Sequence, residues 1–507
     1  MDVAPAVDPT ARVSVVEAGW RRFAIVIAVM LAALMETLDS TIVNVALPTI
    51  EGNLGASIDA GVWIVTGYII ANVVSIPLNP LLMRTFGRRV YFTACIAGFT
   101  VASVLCSTAH SLEALVAFRF LQGAFGGGLI ATAQGVMRDT FPPQAVGTSS
   151  ALFSIALIAG PALGPLAGGF LTDNFSWPWI FFVNLIPGIV ASATLFVLMR
   201  DPLPPQPTPI DWRGVALLVA GFGAMQYVLD NGERLDWFDD GRIIAATFGA
   251  LAALAIFARR QWVYAHPVVD LHVLAYRSVR IGLVLALAFG AIIFAPAIVT
   301  PVYASSILGY TAWDSGLLLV VRAVPVVLLT PPFALLSQRG ADVRYFLACG
   351  FALTTVSMVW LDASMTSSAP FAALAFPLAL SGIAQSMLLV PLIVGVLTTT
   401  PAGLNDKIAP LVTLSIQLGG SIGSAASIAF FDRRTSLHAD VIAGGTTLHH
   451  LGATGITPTL ALLTQLAGAA YQQATTMGFA DTLLAVGLVG AAAMPVVLLF
   501  PRSKRMA

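Results

Sequence analysis

Fourteen long apolar runs follow one another along the chain, at 23–47, 60–83, 90–108, 112–136, 146–171, 179–199, 213–229, 242–258, 281–304, 314–336, 344–361, 370–397, 408–431 and 479–500. Each is close to or above the roughly 20 residues that a helix needs to cross a hydrocarbon core. Backbone N–H and C=O groups find no water there, so every run has to satisfy its own groups by coiling into a helix. Hydrophobic residues make up 58% of the 507 and charged residues 10%, against roughly 25% charged in a soluble domain. A soluble fold could not hide that much apolar surface, and a disordered chain would lack it. A net charge of zero leaves no basic footprint for nucleic acid. The expected class is an all-α polytopic membrane protein with 14 spans. The first run is too long for a signal-peptide core and carries Glu36 and Asp39, so it reads as a retained helix.

The 25 basic residues are unevenly spread. With the N-terminus inside, 19 fall on the cytoplasmic side, four (Arg234, Arg242, Arg433, Arg434) fall in outer loops, and Arg119 and Arg322 fall inside spans. By the positive-inside rule both termini are cytoplasmic, with tails at 1–22 and 501–507. Residues 200–212 hold five prolines, which excludes a continuous helix and suits a semi-rigid linker. That linker separates a six-helix bundle at 23–199 from two further helices and a cytoplasmic loop at 213–280, and a second six-helix bundle follows at 281–500. The stretch 432–478, within the second bundle, reads as an outer loop with an amphipathic patch near Leu460–Gln473.

Charge inside a membrane is expensive and normally faces protein or water. Glu36 and Asp39 stand three apart in the first span, which predicts one helix face directed at a central cavity. Two carboxylates so close in a low dielectric share protons rather than ionise together, as a proton carrier requires. Arg119 in the fourth span is the natural counter-charge: it stays protonated and tunes its partner instead of carrying the proton. Arg322 lies near enough to a span end for its stem to snorkel. Gly160, Gly164 and Gly168 recur every fourth residue and line one face for close helix approach, while Pro161 and Pro165 bend the same helix. Gly419-Gly420-Ser421-Ile422-Gly423 spells G-x-S-x-G, but inside a membrane helix rather than at the strand-to-helix turn a hydrolase needs. Neither lysine, Lys407 nor Lys504, follows a glycine, so there is no phosphate loop to bind ATP. Cys95, Cys106 and Cys349 lack metal-ligand spacing. No cofactor or metal is expected, and the chain is not expected to be an enzyme.

The segments LDSTIVNVALP (38–48), RFLQG (119–123), GPALGPLAGG (160–169) and WIFFVNLIPG (179–188) resemble the signatures of spans 1, 4, 5 and 6 of the major facilitator superfamily. Together with 14 spans, and with LDNGERLDWF (229–238), PVVDLHVL (267–274) and IQLGGSIGSA (416–425), they resemble its drug:proton antiporter branch of the EmrB/QacA type. The resemblance implies the major facilitator fold, two six-helix bundles plus two extra helices, working by alternating access around a central site. It implies proton coupling through Asp39, with Glu36 and Arg119, and an antiporter motif at Gly160, Pro161, Gly164, Pro165 and Gly168. The loop between spans 2 and 3 keeps the family's Gly87-Arg88-Arg89 but has Pro80, Arg84 and Thr85 where glycine, an acid and arginine are usual, so the usual gating charge lock cannot form there.

The expected activity is proton-driven efflux of small lipophilic compounds or drugs from the cytoplasm or inner leaflet across a bacterial inner membrane. Amide side chains suited to the substrate pocket are Gln122, Gln134, Asn184, Gln226 and Gln385. Two other readings are a dedicated exporter of one metabolite class, such as a siderophore, sugar or amino-acid derivative, and a non-transporting receptor or scaffold on the same fold. The expected partners are substrate, protons and membrane lipid, with a periplasmic adaptor and outer-membrane channel engaged through 432–478.

Overall fold

The computed structural model describes residues 19–56, 58–142, 145–201, 209–265, 267–338, 341–401, 404–445 and 460–501, and their regular structure is entirely helical. In chain order the helices are α1 (Trp20–Leu54), α2 (Ile58–Ser75), α3 (Asn79–Phe86), α4 (Arg88–Ser107), α5 (Leu112–Gly126), α6 (Leu129–Thr140), α7 (Val146–Asn174), α8 (Trp179–Phe182) and α9 (Leu185–Leu198). They continue as α10 (Trp212–Asn231), α11 (Gly241–Val263), α12 (Arg277–Ser306), α13 (Ala312–Gln338), α14 (Val343–Ser364), α15 (Phe371–Thr398), α16 (Asn405–Gly445) and α17 (Leu460–Leu498). Among the described residues, thirteen stretches are long and apolar enough to span a membrane. The expected span at 146–171 corresponds to α7, whose 29 residues also have the length. The protein is a multi-pass membrane protein.

Side-chain caps start several helices where the sequence supplies a suitable acceptor. Ser111 accepts from the Ala114 N–H at 3.2 Å to open α5. Asp211 accepts from the Gly214 N–H at 2.9 Å to open α10, and Asp342 opens α14 through the Arg344 N–H at 3.1 Å. Each cap satisfies a donor that the first helical turn leaves unpaired. Between α3 and α4 the chain turns at Gly87, whose φ of 82° lies in the region that side chains disfavour.

Helices α1–α9 pack around two apolar clusters, one built on Val29, Phe92 and Phe99 and one on Ile42, Ile64 and Phe181. Helices α12–α17 share a third, including Phe289, Phe351, Leu378 and Phe479. The two groups meet in two places. Helix α7 runs along α13, so closely that a Cβ on Gly316 would sit 2.5 Å from Leu166 Cδ2. Val73 and Ile76, at the end of α2, pack with Leu414 of α16. Helices α10 and α11 pair with each other, and α10 leans on α2, where Trp63 and Tyr227 stack with ring centroids 5.6 Å apart.

Polar ties hold the ends of these elements. Arg260 grips Asp211 through Nη2 at 2.7 Å, joining the bases of α10 and α11. Lys407 Nζ donates to Asp270 Oδ2 at 2.7 Å, joining the segment after α11 to the start of α16. Burial works against ionised Asp270, but hydrogen bonds from Lys407 and His272 outweigh it and hold the carboxyl below its ordinary range. At the far end of α16, Asp481 of α17 accepts from Arg434 at 2.5 Å and pairs with His438 at 2.7 Å.

One sequence expectation changes. The stretch 432–478 is not a loop in its described parts, because α16 continues to Gly445 and α17 begins at Leu460. Neither flank contains a proline, and both are rich in helix formers. Residues 446–459 fall outside the described residues, as do 202–208 of the linker, 1–18 of the first tail and 502–507 of the last. The expected spans at 112–136 and 179–199 stand within the apolar stretches Leu112–Thr140 and Trp179–Leu198, the first divided into α5 and α6 at Gly127–Gly128 and the second into α8 and α9.

Candidate functional site

Two polar constellations occupy the first bundle, side by side along α1. One is fully enclosed. Arg119, 1% exposed, donates from Nη1 to Asp39 Oδ2 at 2.5 Å, and Asp39 has no exposed surface. Gln122 follows Arg119 by three residues and shares its helix face. Its Nε2 donates to Asp39 Oδ1 at 2.8 Å and to Ser103 Oγ at 2.6 Å, while its Oε1 accepts from Arg119 Nη1 at 2.7 Å. Asn184, between α8 and α9, donates to Asp39 Oδ1 at 3.1 Å. Arg119 Nε donates to the Ile64 carbonyl at 3.1 Å, and its guanidinium lies over the Tyr68 ring at 4.1 Å. Five helical elements thus converge on one buried carboxylate. Removing either charged partner from such a pair strands the other in low dielectric.

The second constellation opens onto a central cavity of about 1740 Å³ lined by both bundles. Glu36 faces it, accepting from Asn72 Nδ2 at 3.0 Å and from the Tyr68 hydroxyl at 3.5 Å. The three-residue spacing sets Glu36 and Asp39 about 60° apart around α1, since each residue turns the helix by about 100°. That angle is enough to divide them: Glu36 meets the cavity, while Asp39 points into the bundle and is absent from the cavity wall. Tyr68 bridges the two, with its ring against Arg119 and its hydroxyl on Glu36.

The other expected site residues divide in the same way. Gln134, Gln226 and Gln385 line the cavity, whereas Gln122 and Asn184 belong to the Asp39 network. Gln226 donates to Asp230 at 2.9 Å on the cavity wall. Gly87 and Arg88 also line it, and Arg88 pairs with Asp139 of α6 at 2.7 Å. Arg89 is turned away, its backbone N–H on Asp201 at 2.7 Å and its guanidinium over Phe196 at 4.8 Å. Tyr68, Asn72 and Ser103 were not anticipated. An amide or hydroxyl inside an apolar run is a weak signal alone, and gains meaning only once the neighbouring helix is known.

The glycine stripe of α7 lies directly against α1 at this level. A Cβ on Gly160 would overlap Thr37 Oγ1 and lie 2.6 Å from the Leu38 nitrogen, and one on Gly164 would overlap Thr41 Oγ1. A Cβ on Gly168 would be 2.8 Å from the Ile42 carbonyl. Three glycines therefore set how closely α7 approaches the segment that carries Glu36 and Asp39. The side chains of Pro161 and Pro165, on the same helix, are outside the described residues.

Two membrane-embedded carboxylates, a buried arginine and a large cavity between two helical bundles are the parts of a transporter, and sequence comparison places the chain accordingly. The family model described as Major Facilitator Superfamily matches residues 29–424, and the chain belongs to that family. Among solved structures the fold is similar to the proton:xylose symporter XylE, with a TM-score of 0.61 at 14% identity, covering 96% of this chain and 97% of that one. Within the family the chain is of the EmrB type. It is 34% identical to the multidrug export protein EmrB of Escherichia coli (strain K12) over 418 residues, 81% of this chain and 80% of that protein. It is also 32% identical to the fatty acid resistance protein FarB of Neisseria gonorrhoeae over 450 residues, 88% of this chain and 86% of that protein.

Proposed function

We propose that this protein exports small lipophilic compounds and drugs in exchange for protons, by alternating access around the central cavity. The observation that carries the reading is Glu36, a carboxylate on the wall of an otherwise largely apolar cavity, backed by the Asp39–Arg119 pair. In this reading Glu36 is the acid that substrate and proton compete for. Asp39 is the buried partner: when it accepts a proton its attraction to Arg119 falls, and α1 is released to shift against α5. Tyr68 links the two sites, so occupancy of one biases the other. A proton moving down a 100 mV potential supplies about 2.3 kcal/mol.

The membrane is in this reading the bacterial inner membrane, with both termini cytoplasmic, supported by the 19-to-4 split of basic residues. Adaptor docking has its own support. Helices α16 and α17 run to 41 and 39 residues. That is about 20 residues, or about 30 Å, more than a span requires. Val441 and Tyr471 are exposed on the projecting parts. A periplasmic adaptor leading to an outer-membrane channel would seat there.

The test is dye or drug uptake into everted vesicles energised by a proton gradient. The reading requires uptake that collapses with the gradient and is lost in both Glu36→Gln and Asp39→Asn. Uptake that survives full dissipation of the gradient would defeat it. For the adaptor, Val441→Asp should abolish export from cells but leave vesicle uptake intact.

A further inference from the structure

One charged side chain in the second bundle has no role in the mechanism above. Arg322, on α13, was expected to snorkel towards a membrane surface. Instead it is 8% exposed and forms part of the cavity wall. Its Nη2 donates to the Ile293 carbonyl at 3.1 Å, its Nε has no hydrogen-bond partner, and no carboxylate pairs with it among the described residues. An arginine stays protonated in proteins, so this is a buried cation without an anion. The contrast with Arg119 is direct, since that guanidinium pairs with Asp39 and also donates to Gln122 and to the Ile64 carbonyl.

The position is built rather than incidental. Gly382 of α15 packs on the backbone here, where a Cβ would overlap the Arg322 carbonyl oxygen and lie 3.4 Å from Pro325 Cβ. With α15 held that close, the residue is fixed between helices. Phe289, Ile293, Phe294, Leu389 and the neutral Gln385 line the same cavity, and the Ile293 carbonyl is the one that Arg322 touches. Stranding a charge in such surroundings is costly, and the cost is recovered when an anion arrives with its own apolar body.

We propose that Arg322 is the headgroup site for amphiphilic organic anions, compounds that carry one carboxylate or similar acidic group on an apolar frame. The anionic group takes guanidinium donors of Arg322, and the apolar frame lies against apolar side chains of the cavity wall. The proposal rests on the export reading for the cavity's purpose, but its binding prediction does not depend on transport.

The test uses the full-length protein in nanodiscs of zwitterionic phosphatidylcholine, titrated calorimetrically with 4-butylbenzoate and with 4-butylbenzamide, which differ chiefly in charge. Wild type should bind the benzoate tighter by about tenfold to a hundredfold, the range of a charge-assisted hydrogen-bond pair. In Arg322→Gln that preference should vanish while benzamide binding stays, which also reports that the variant is folded. Arg322→Lys should retain part of the preference. Equal affinities in wild type, no binding of either probe, or a preference that survives Arg322→Gln would overturn the proposal. Repeating the wild-type titration in discs containing phosphatidylglycerol separates solute from lipid. Unchanged benzoate binding supports a solute site, and its loss by competition assigns the site to lipid headgroups and overturns the substrate reading. If vesicles transport nothing while the benzoate preference holds, the export reading fails and the anion site stands.

Discussion

Replacing Gly160 by alanine adds a single methyl group where α7 meets α1. The new carbon would lie 2.5 Å from Thr37 Cβ and 2.6 Å from the Leu38 nitrogen, besides overlapping Thr37 Oγ1. The hydroxyl can rotate away, but Cβ and the backbone nitrogen are fixed to α1. Restoring 3.4 Å from 2.5 Å requires the two helices to part by about 0.9 Å. Overpacking of this kind costs about 1–3 kcal/mol, offset in part by the roughly 1 kcal/mol that alanine gains over glycine in a helix. The functional cost should exceed the thermal one. Asp39 is the next residue after Leu38 and holds Arg119 at 2.5 Å, a separation with no room to tighten. Any rigid shift of α1 therefore weakens the pair. Gly160→Ala should lower proton-driven vesicle uptake at least about tenfold, which corresponds to about 1.4 kcal/mol at the coupling step, while the protein still purifies folded. Thr37→Ala should rescue it only partly, because Leu38 N remains in the way. Gly249→Ala on α11, where nothing lies within 4 Å, is the matched control and should be neutral. If Gly160→Ala transports and unfolds like Gly249→Ala, the claim that this stripe positions α1 is wrong.

Other substitutions probe the same architecture. Gln122→Leu leaves Asp39, Arg119 and Ser103 each short of a buried partner, and should lower unfolding stability by about 1–3 kcal/mol in a detergent denaturation assay. Arg119→Lys keeps the charge but not the planar set of donors that reaches Asp39, Gln122 and Ile64, so vesicle uptake should fall nearly as far as in Arg119→Ala. Asp270 has its pKa held below the ordinary value of 3.8, so its tie to Lys407 contributes stability above that value and loses it as pH falls through the folded-state pKa. Lys407→Ala should flatten that acid-side loss in thermal unfolding curves recorded as a function of pH, whereas a change confined to neutral pH would contradict the assignment.

Much of this was legible before any coordinates. Fourteen apolar runs specify helices because lipid permits little else, and one arginine facing an acid inside such runs predicts the pair that Asp39 and Arg119 make. Facing was not legible. Along α1 or α5 nearly every side is apolar, so the periodicity that normally marks a buried stripe is weak. Gln122 and Asn184 accordingly read as pocket residues but point at Asp39. Glu36 and Asp39 read as one site, although about 60° of rotation around α1 puts Glu36 on the cavity wall and Asp39 inside the bundle. Arg322 read as a residue near a span end, because depth along a span follows from packing partners such as Gly382 that a single sequence does not pair. The stretch 432–478 read as a loop because its helices leave the expected hydrocarbon zone and lose the hydropathy signal while keeping their hydrogen bonds.

The central claim is that Glu36 at the cavity and Asp39 behind it couple substrate to proton movement. The most direct measurement is proton release or uptake by the purified protein in lightly buffered detergent solution when a lipophilic substrate is added. Wild type should release protons on binding, Glu36→Gln should bind substrate without that release, and Asp39→Asn should bind substrate but fail to drive uptake in vesicles. Proton release of wild-type size from Glu36→Gln, or gradient-driven uptake of wild-type rate by Asp39→Asn, would contradict the account.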